Sequence, residues 1–235
     1  MQGGVGHSVS VGGPIKPEVY SDEVTDWSRF LPLSNRARGD EELVGRSWSE
    51  PAAALLQTIA AVLDARPDLL TAPTLRPELT VESAVRELLA ELGSPWWRRW
   101  ALGIGATESL RPEIASITTD ALASVLRQRA VERAASSVRT NIRDLGAVVV
   151  LALDLRVSCA VATEVDPFLC GTVALDLALR ARQPQRSVVT ARTFVAVDGG
   201  WQVGRGPQLQ ASAASIVLFL AGRSDVPSEA PTSAS

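Results

Sequence analysis

Residues 142–155, IRDLGAVVVLALDL, decide the fold of this chain. The stretch is apolar on nearly every side, which predicts a helix from about Asn141 to Val161 that other elements bury all round. Its most apolar part, Leu145 to Leu155, is too short to span a bilayer, and Arg156 follows it directly. We therefore expect the central helix of a packed protein and not a membrane span.

Three amphipathic helices are predicted upstream of this central helix. The first begins at Ser49, as its N-cap, and ends before Pro67; the second begins at the N-cap Thr80 and stops at Gly93. The third covers Pro112 to about Arg139. Their apolar residues recur at helical spacing: Leu55, Leu56, Ile59, Val62, Leu63, Val85, Leu88, Leu89, Leu92, Ile114, Ile117, Leu122, Val125, Leu126 and Val131. With the central helix they predict a four-helix bundle.

The pattern changes after the central helix. Asp166 is expected to cap a helix that runs through Arg182. Ser187 to Val197 is β-branched and alternates, which predicts a strand, and an Asp-Gly-Gly turn connects it to a second strand at Trp201–Val203. Trp201 is expected in the core of this part. Ala211 to Leu220 is predicted to form a short closing helix.

These elements define the predicted fold class, α+β and mostly α. We divide the chain into a flexible N-terminal arm (1–46), a four-helix bundle (47–162), a small α+β half (163–223) and a disordered tail (224–235). The arm is rich in Gly and Pro and has no periodicity, and the tail consists largely of Pro, Ser and Ala.

Composition limits the partners that this chain can take. Its 235 residues carry a net charge of −3, so no overall electrostatic attraction to nucleic acid or to an anionic membrane is expected. Cys159 and Cys170 form no CxxC pair and are predicted to be buried free thiols. The first residues contain no apolar signal-peptide core, and we expect a cytoplasmic protein.

Residues 70–88, LTAPTLRPELTVESAVREL, resemble the start of the second helix of the DinB-like, mycothiol-dependent maleylpyruvate isomerases. That family usually has a run similar to CPGWTVRDVVAHL there. The matching positions are Pro77, Thr80, Val81, Val85 and Leu88. The family's Gly and Trp are replaced by Glu78 and Leu79, and its metal-binding histidine falls on Glu87.

The central stretch resembles the fourth helix of the same family, which has runs such as RDLVVHALDL. Leu153, Asp154 and Leu155 match the end of that run. The second metal-binding histidine falls on Leu151, and the ligand carboxylate one turn earlier falls on Ala147. Asp144, three residues before Ala147, need not share the ligand position.

Three further segments resemble the sterol-carrier-like C-terminal half of that family. They are Val165–Phe168, the predicted strand Ser187–Val197, and Ala214–Arg223, where the family commonly ends LWLxGR. The resemblance thus covers about Ser47 to Arg223. It implies an actinobacterial protein with a DinB-like four-helix bundle followed by a small sterol-carrier-like α+β domain.

The resemblance also implies zinc and mycothiol, but the residues for the metal are missing. A zinc site of two histidines and a carboxylate cannot form within this chain, because His7 is the only histidine. No cofactor is therefore expected. Two of the three ligand positions, Ala147 and Leu151, are apolar, which predicts a site closed over as core, and the third is Glu87.

Glu87 and Asp154 are the weak candidates for catalytic acid–base residues. The alternative for Glu87 is a solvated helix residue near Arg86. The alternative for Asp154 is a hydrogen-bonded carboxylate paired with Arg156 or Arg143, since a lone buried charge would be costly.

Trp96, Trp97 and Trp100 form the most conspicuous local cluster, interleaved with Arg98 and Arg99. The indoles could line a ligand site, stack on single-stranded nucleic acid or anchor the protein at a membrane surface. They could equally pack on the bundle with the arginines in water.

Three functions follow as hypotheses. The first is a non-catalytic, metal-free relative of the family that binds a small molecule or a protein partner. The second is an isomerase or transferase that uses mycothiol or another thiol with an altered active site. The third is a lipid or apolar-ligand carrier, which rests on the C-terminal half alone.

Overall fold

The computed structural model describes residues 48–92, 112–135 and 140–227, and these are mostly helical with one small sheet. The helices are α1 (Ser49–Ala65), α2 (Val81–Glu91), α3 (Pro112–Ala115), α4 (Leu122–Ala134), α5 (Ile142–Ser158), α6 (Pro167–Leu179), α7 (Gln185–Ala191) and α8 (Ala213–Leu220). The strands are β1 (Thr193–Ala196), β2 (Gln202–Gly204) and β3 (Gln208–Ala211). Single 3-10 turns occupy Pro67–Thr71 and Thr119–Ala121.

The apolar residues 142–155 lie in α5, and the prediction of a central, buried helix is confirmed. The Asn141 side chain caps the helix by accepting hydrogen bonds from the N–H groups of Arg143 and Asp144, both at 3.0 Å. Helices α1 and α2 pack on α5, as do α6 and α8 from the C-terminal segment. The helix is therefore buried all round because its neighbours come from both parts of the chain.

Helix α1 begins at the predicted place, but Ser49 does not cap it. Trp48 occupies the N-cap position, and Ser49 is the first helical residue, almost fully buried. The Ser49 hydroxyl accepts a hydrogen bond from the backbone N–H of Thr140 at 3.3 Å. The prediction for Ser49 is wrong because this hydroxyl holds the segment that leads into α5.

Helix α2 begins as predicted. The Thr80 hydroxyl accepts from the N–H of Ser83, so Thr80 is the N-cap. The helix ends at Glu91, and the predicted stop at Gly93 lies outside the described residues.

The third predicted helix, Pro112 to Arg139, is broken in the structure. Chain direction changes between α3 and α4, where Thr118 is extended. Hydroxyl side chains in this stretch compete for hydrogen bonds with the helix backbone, and the Thr119 hydroxyl donates to Glu82 at 3.0 Å. Val131, predicted as core, is 55% exposed because it lies on the face of α4 that points away from the other helices.

Asp166 caps α6 as predicted, accepting from the N–H of Phe168 at 2.8 Å. The helix ends at Leu179 and not at Arg182. The predicted strand Ser187–Val197 is mostly wrong, since its first part belongs to α7 and only Thr193–Ala196 is a strand. Among the described residues, no strand lies alongside residues 187–191, so their backbone groups form hydrogen bonds within a helix.

The sheet contains a strand that the sequence analysis missed. Its order is β2-β1-β3, with β1 and β2 antiparallel, as the predicted hairpin requires, and β1 and β3 parallel. The start of the predicted last helix, Ala211, belongs to β3. Polar and apolar residues alternate along β3, and the apolar ones, Leu209 and Ala211, are buried. This alternation is the local sequence signal that predicts the strand.

One apolar cluster runs through both halves of the chain. It includes Leu56 and Leu126 from the first helices, Leu153 from α5, and Phe194 and Ile216 from the C-terminal segment. The division at residue 162 stays a prediction. Among the described residues, none of the helices is long and apolar enough to cross a membrane.

A candidate ligand cleft beside two helices

A cleft of about 860 Å³ lies beside α2 and α5 and is closed by the residues that follow α6 and α8. This volume falls within the range of small-molecule sites, about 300–1,000 Å³. Half of its lining residues are charged and half are apolar: Arg76, Ala84, Glu87, Leu88, Ala90, Glu91, Arg143, Asp144, Gly146, Ala147, Val150, Leu151, Asp154, Leu177, Arg180, Arg182, Ala221 and Arg223.

Helix periodicity explains which side chains reach the cleft. The α5 residues that line it follow an i, i+3, i+4 pattern from Arg143 through Ala147 and Leu151 to Asp154. The α2 residues follow the same pattern through Glu87 and its neighbours. Each helix therefore presents one continuous stripe to the cleft.

The structure brings the three family ligand positions, Glu87, Ala147 and Leu151, to this one cleft. Leu151 belongs to the apolar core cluster and Ala147 is half-buried against it, as expected, but the space beside them is open. Small residues line the cleft where larger ones would fill it, including Ala84 on α2 and Ala221 after α8.

Asp154 is buried at the deep end of the cleft, with 2% of its surface exposed. Its Oδ1 accepts a hydrogen bond from the backbone N–H of Leu75 at 2.8 Å. The predicted pairing with Arg156 or Arg143 is wrong: Arg156 is exposed, and Arg143 lies eleven residues earlier, about 16 Å along α5. Asp154 thus fixes the loop before α2.

Glu87 is half-exposed and forms an ion pair with Arg76. The predicted neighbour, Arg86, instead pairs with Glu82 at 2.8 Å. That contact, together with the Thr119 hydroxyl, lowers the pKa of the Glu82 carboxyl. Glu87 and Asp154 line one cleft, but each already holds a partner inside the protein.

Arg223 and Arg76 lie together at the Asp154 end of the cleft. Burial lowers the pKa of Arg223, and the positive charge of Arg76 acts in the same direction, while Asp154, Glu87 and Glu91 oppose it. The Nε atoms of Arg76 and Arg223 are buried without a hydrogen-bond partner in the described part of the chain. Both residues line the cleft, so their guanidinium groups place positive charge where an anion can bind.

No sequence pattern predicts a site at Arg76, and Arg223 stands out only as the end of the family-like C-terminal run. The residues adjacent to Arg76 provide no signal for a site, because its position depends on the contact between Leu75 and Asp154. Such a contact over 79 residues of chain cannot be seen in a local pattern.

Asp144 and Arg133 form a buried ion pair at the other end of the cleft. Both side chains are at most 4% exposed, and Arg133 Nη2 lies 3.8 Å from Asp144 Oδ2. Asp144 lines the cleft, and its negative charge is therefore balanced by Arg133 of α4.

The zinc that the resemblance implies does not fit these residues. Ala147 and Leu151 have no ligand atom, and Glu87 is paired with Arg76. Across residues 48–92, 112–135 and 140–227, no group of three or more His, Cys, Asp or Glu could hold a metal ion.

The remaining candidates cannot be placed. Trp96, Trp97, Trp100 and His7 lie outside the described residues. The predictions for them stay predictions. Cys159 and Cys170 are both free thiols, as expected, although Cys159 is only half-buried.

Comparisons with protein-family models, with curated proteins and with solved structures find no match to this chain. The fold and the cleft define a mostly helical α+β protein with a cleft lined by charged and apolar residues. The family resemblance remains a proposal.

Proposed function

We propose that this chain is a non-catalytic, metal-free relative of the mycothiol-dependent maleylpyruvate isomerases that binds a small carboxylate-bearing molecule in the cleft. The observation that carries the proposal is the pair of arginines, Arg76 and Arg223, that line the Asp154 end of that cleft. Guanidinium groups bind carboxylates through charge-assisted, often paired hydrogen bonds. A ligand carboxylate placed there would pair with the positive charge of these guanidinium groups.

The contacts of Asp154 and Glu87 favour a binding protein over the alternative, a thiol-dependent enzyme. Asp154 Oδ1 already accepts from the Leu75 N–H, and Glu87 is held by Arg76. A general acid or base needs a free position toward the substrate. Each candidate has a structural contact in the cleft wall, made through one of its carboxylate oxygens.

The lining also disfavours a lipid carrier. The cleft carries the charges of five arginines and four acidic residues. A wholly apolar ligand would remove these groups from water without replacing their hydrogen bonds. The concave shape favours a small molecule over a protein surface as the partner.

The proposal is tested by isothermal titration of the full chain with octanoate, using octanol as the uncharged ligand of the same length. We expect octanoate to bind and octanol to bind much more weakly. Arg223→Gln should weaken octanoate binding by at least about tenfold, which is about 1.4 kcal/mol. The matched control is Arg192→Gln, because Arg192 is exposed and lies outside the cleft.

Equal binding by octanoate and octanol, or an Arg223→Gln variant that binds as the wild type does, would contradict the proposal. The absence of catalysis has its own test. Stoichiometric zinc that is lost in Glu87→Ala, or turnover of maleylpyruvate with mycothiol, would refute the metal-free and non-catalytic assignment.

A further inference from the structure

Helix α7 carries an exposed row of arginines outside the cleft. Arg186 lies in its first turn, Arg192 directly follows its last residue, and Arg205 lies in the turn between β2 and β3. All three are exposed, and none of them lines the cleft. No residue of α7 is buried, so the whole helix lies at the surface. We call these three residues the α7 arginines.

Backbone hydrogen bonds hold these arginines close to one another. The Arg192 N–H donates to the Val188 carbonyl at 2.8 Å, and the Arg205 N–H donates to the Val189 carbonyl at 2.9 Å. The turn between β2 and β3 therefore lies against the last turn of α7. Gly204 permits this approach, because its φ is +107° and a Cβ there would clash with the Arg192 carbonyl. The seven residues of α7 span only about 10 Å, so the three arginines share one short surface.

The surroundings of the α7 arginines hold little negative charge. Residues 179–211 contain five arginines and a single acidic residue, Asp198. Asp198 lies beyond the end of β1, whereas Arg192 lies just before its start, and the Asp198 carboxylate accepts from the Ala213 N–H at 2.7 Å. Arg186 and Arg192 form no ion pair with the part of the chain that the structure describes. This surface is therefore suited to an acidic partner.

An acidic protein segment fits this surface better than nucleic acid does. Proteins that bind single-stranded nucleic acid combine positive charge with exposed aromatic rings on which bases stack. The aromatic residues of the same stretch, Phe194 and Trp201, are both buried and offer no ring for stacking. The charges of the α7 arginines thus point to carboxylates as the partner groups.

The chain itself contains a segment of matching charge. Residues 17–28, PEVYSDEVTDWS, include four acidic residues and no arginine or lysine. The acidic residues are Glu18, Asp22, Glu23 and Asp26, and they lie outside the described residues. We call residues 17–28 the acidic segment.

The acidic segment is connected to a point near the start of α5. Trp48 is the N-cap of α1, and the hydroxyl of the next residue, Ser49, accepts from the Thr140 N–H just before α5 at 3.3 Å. Residues 27–47 connect the acidic segment to Trp48 and can extend over about 70 Å. The acidic segment can therefore reach surfaces near the start of α5.

Helix α7 lies at this same end of α5. The Thr163 hydroxyl, just before α6, donates to the Ala152 carbonyl in α5 at 3.0 Å. Further along α6, Val173 lies opposite Gly146 of α5, where a Cβ on the glycine would be 3.6 Å from Val173 Cγ1. The two helices thus run in opposite directions, and α6 ends beside the start of α5. Since α7 begins six residues after the end of α6, it lies within reach of the acidic segment.

We propose that the acidic segment docks on the α7 arginines of the same molecule. Its carboxylates pair with guanidinium groups that have few acidic neighbours in the described part of the chain. Covalent attachment holds the segment at a high local concentration, so several weak exposed ion pairs act together. Salt screens such pairs, so the docking is strongest at low ionic strength.

The test uses a nitroxide spin label on the full chain. Ser21→Cys in a Cys159→Ser background places the label in the acidic segment, while Cys170 stays unmodified because it is buried. Amide signals of residues 186–192 and of Arg205 should broaden more than those of α4, which packs on α1. Raising the salt from about 0.05 M to about 0.5 M should remove this difference. Equal broadening of α4 and α7, or broadening that salt does not change, would overturn the inference.

Charge exchange tests which groups pair. Arg186→Glu/Arg192→Glu should reduce the broadening at α7 at least about threefold, because attraction becomes repulsion. Adding Asp22→Arg/Glu23→Arg to this variant should restore the broadening, since the signs are then exchanged on both sides. Broadening that survives the first change, or that the second does not restore, would contradict the pairing.

The matched control is Arg66→Glu/Arg156→Glu. It makes the same change in net charge at two exposed positions, after α1 and in α5, and should leave the broadening at α7 within about twofold of the wild type. A loss as large as that in the α7 variant would show only the effect of net charge and would refute a specific surface.

Two further measurements distinguish other occupants of this surface. A spin-labelled chain is mixed with an isotope-labelled chain that carries no spin label, and α7 signals that broaden in this mixture would assign the acidic segment to a second copy. Binding of oligouridylate at the α7 arginines, without broadening from the spin label, would identify a nucleic-acid surface. Either result would overturn docking within one molecule.

Discussion

Cys170 and Cys159 differ in their surroundings although both are free thiols. Burial raises the pKa of Cys170 to about 12, and the negative charges of Asp198 and Asp166 act in the same direction. Cys159 is half-buried at the end of α5, beside the hydroxyl of Ser158. Only the thiolate is the reactive form, so the Cys170 thiol is expected to be inert in the folded protein.

Alkylation with iodoacetamide at pH 8 should therefore modify Cys159 well before Cys170 in the folded chain, as followed by peptide mass spectrometry. In urea both should react at similar rates, because the surroundings that raise the Cys170 pKa are lost. A Cys159→Ser variant provides the control and should be nearly unreactive until it unfolds. Equal labelling of both thiols in the folded protein would contradict the burial of Cys170.

At the scale of elements, the sheet is attached to α6 through one tryptophan. Trp201 is buried, and its indole N–H donates to the Pro167 carbonyl at 2.8 Å. Gly171 on α6 lies directly against this ring, where a Cβ would come within 2.8 Å of it. By contrast, a Cβ on Gly146 in α5 would make an ordinary contact at 3.6 Å with Val173.

This difference predicts opposite effects of the same substitution. Gly171→Ala should lower the free energy of unfolding by about 1–3 kcal/mol, because the ring or the helix must shift. Gly146→Ala should leave it unchanged or raise it by up to about 1 kcal/mol, since alanine favours a helix interior. Urea unfolding measures both, and a stabilised Gly171→Ala variant would contradict the packing of Trp201 on α6.

The elements also divide into those that local sequence predicts and those that it does not. The caps at Thr80 and Asp166 act within three residues of themselves, so their patterns predicted both helix starts. Ser49 failed as a cap because its partner, Thr140, is 91 residues away. Helix α7 was missed for a similar reason, since its β-branched residues form a helix where the short sheet offers them no partner strand. Strand β3 was missed although its alternating residues are a local signal.

At the scale of the whole molecule, the sequence predicted the central helix and the mostly helical α+β class but not the cleft. The apolar character of Ala147 and Leu151 suggested a filled core. Whether such positions are covered depends on the elements opposite, and those elements offer small residues such as Ala84 and Ala221. The cleft is therefore a property of the assembled elements, which single positions do not reveal.

The central claim is that the two arginines at the Asp154 end of the cleft, Arg76 and Arg223, bind a carboxylate. A proton–nitrogen correlation spectrum of the arginine Nε–H groups tests it directly, with signals assigned from Arg76→Gln and Arg223→Gln variants and octanoate added in steps. We predict saturable shifts of the Arg76 and Arg223 signals together, with little change at Arg192 and Arg205, which lie outside the cleft. Unchanged signals of Arg76 and Arg223, or equal shifts of all exposed arginines, would contradict the claim.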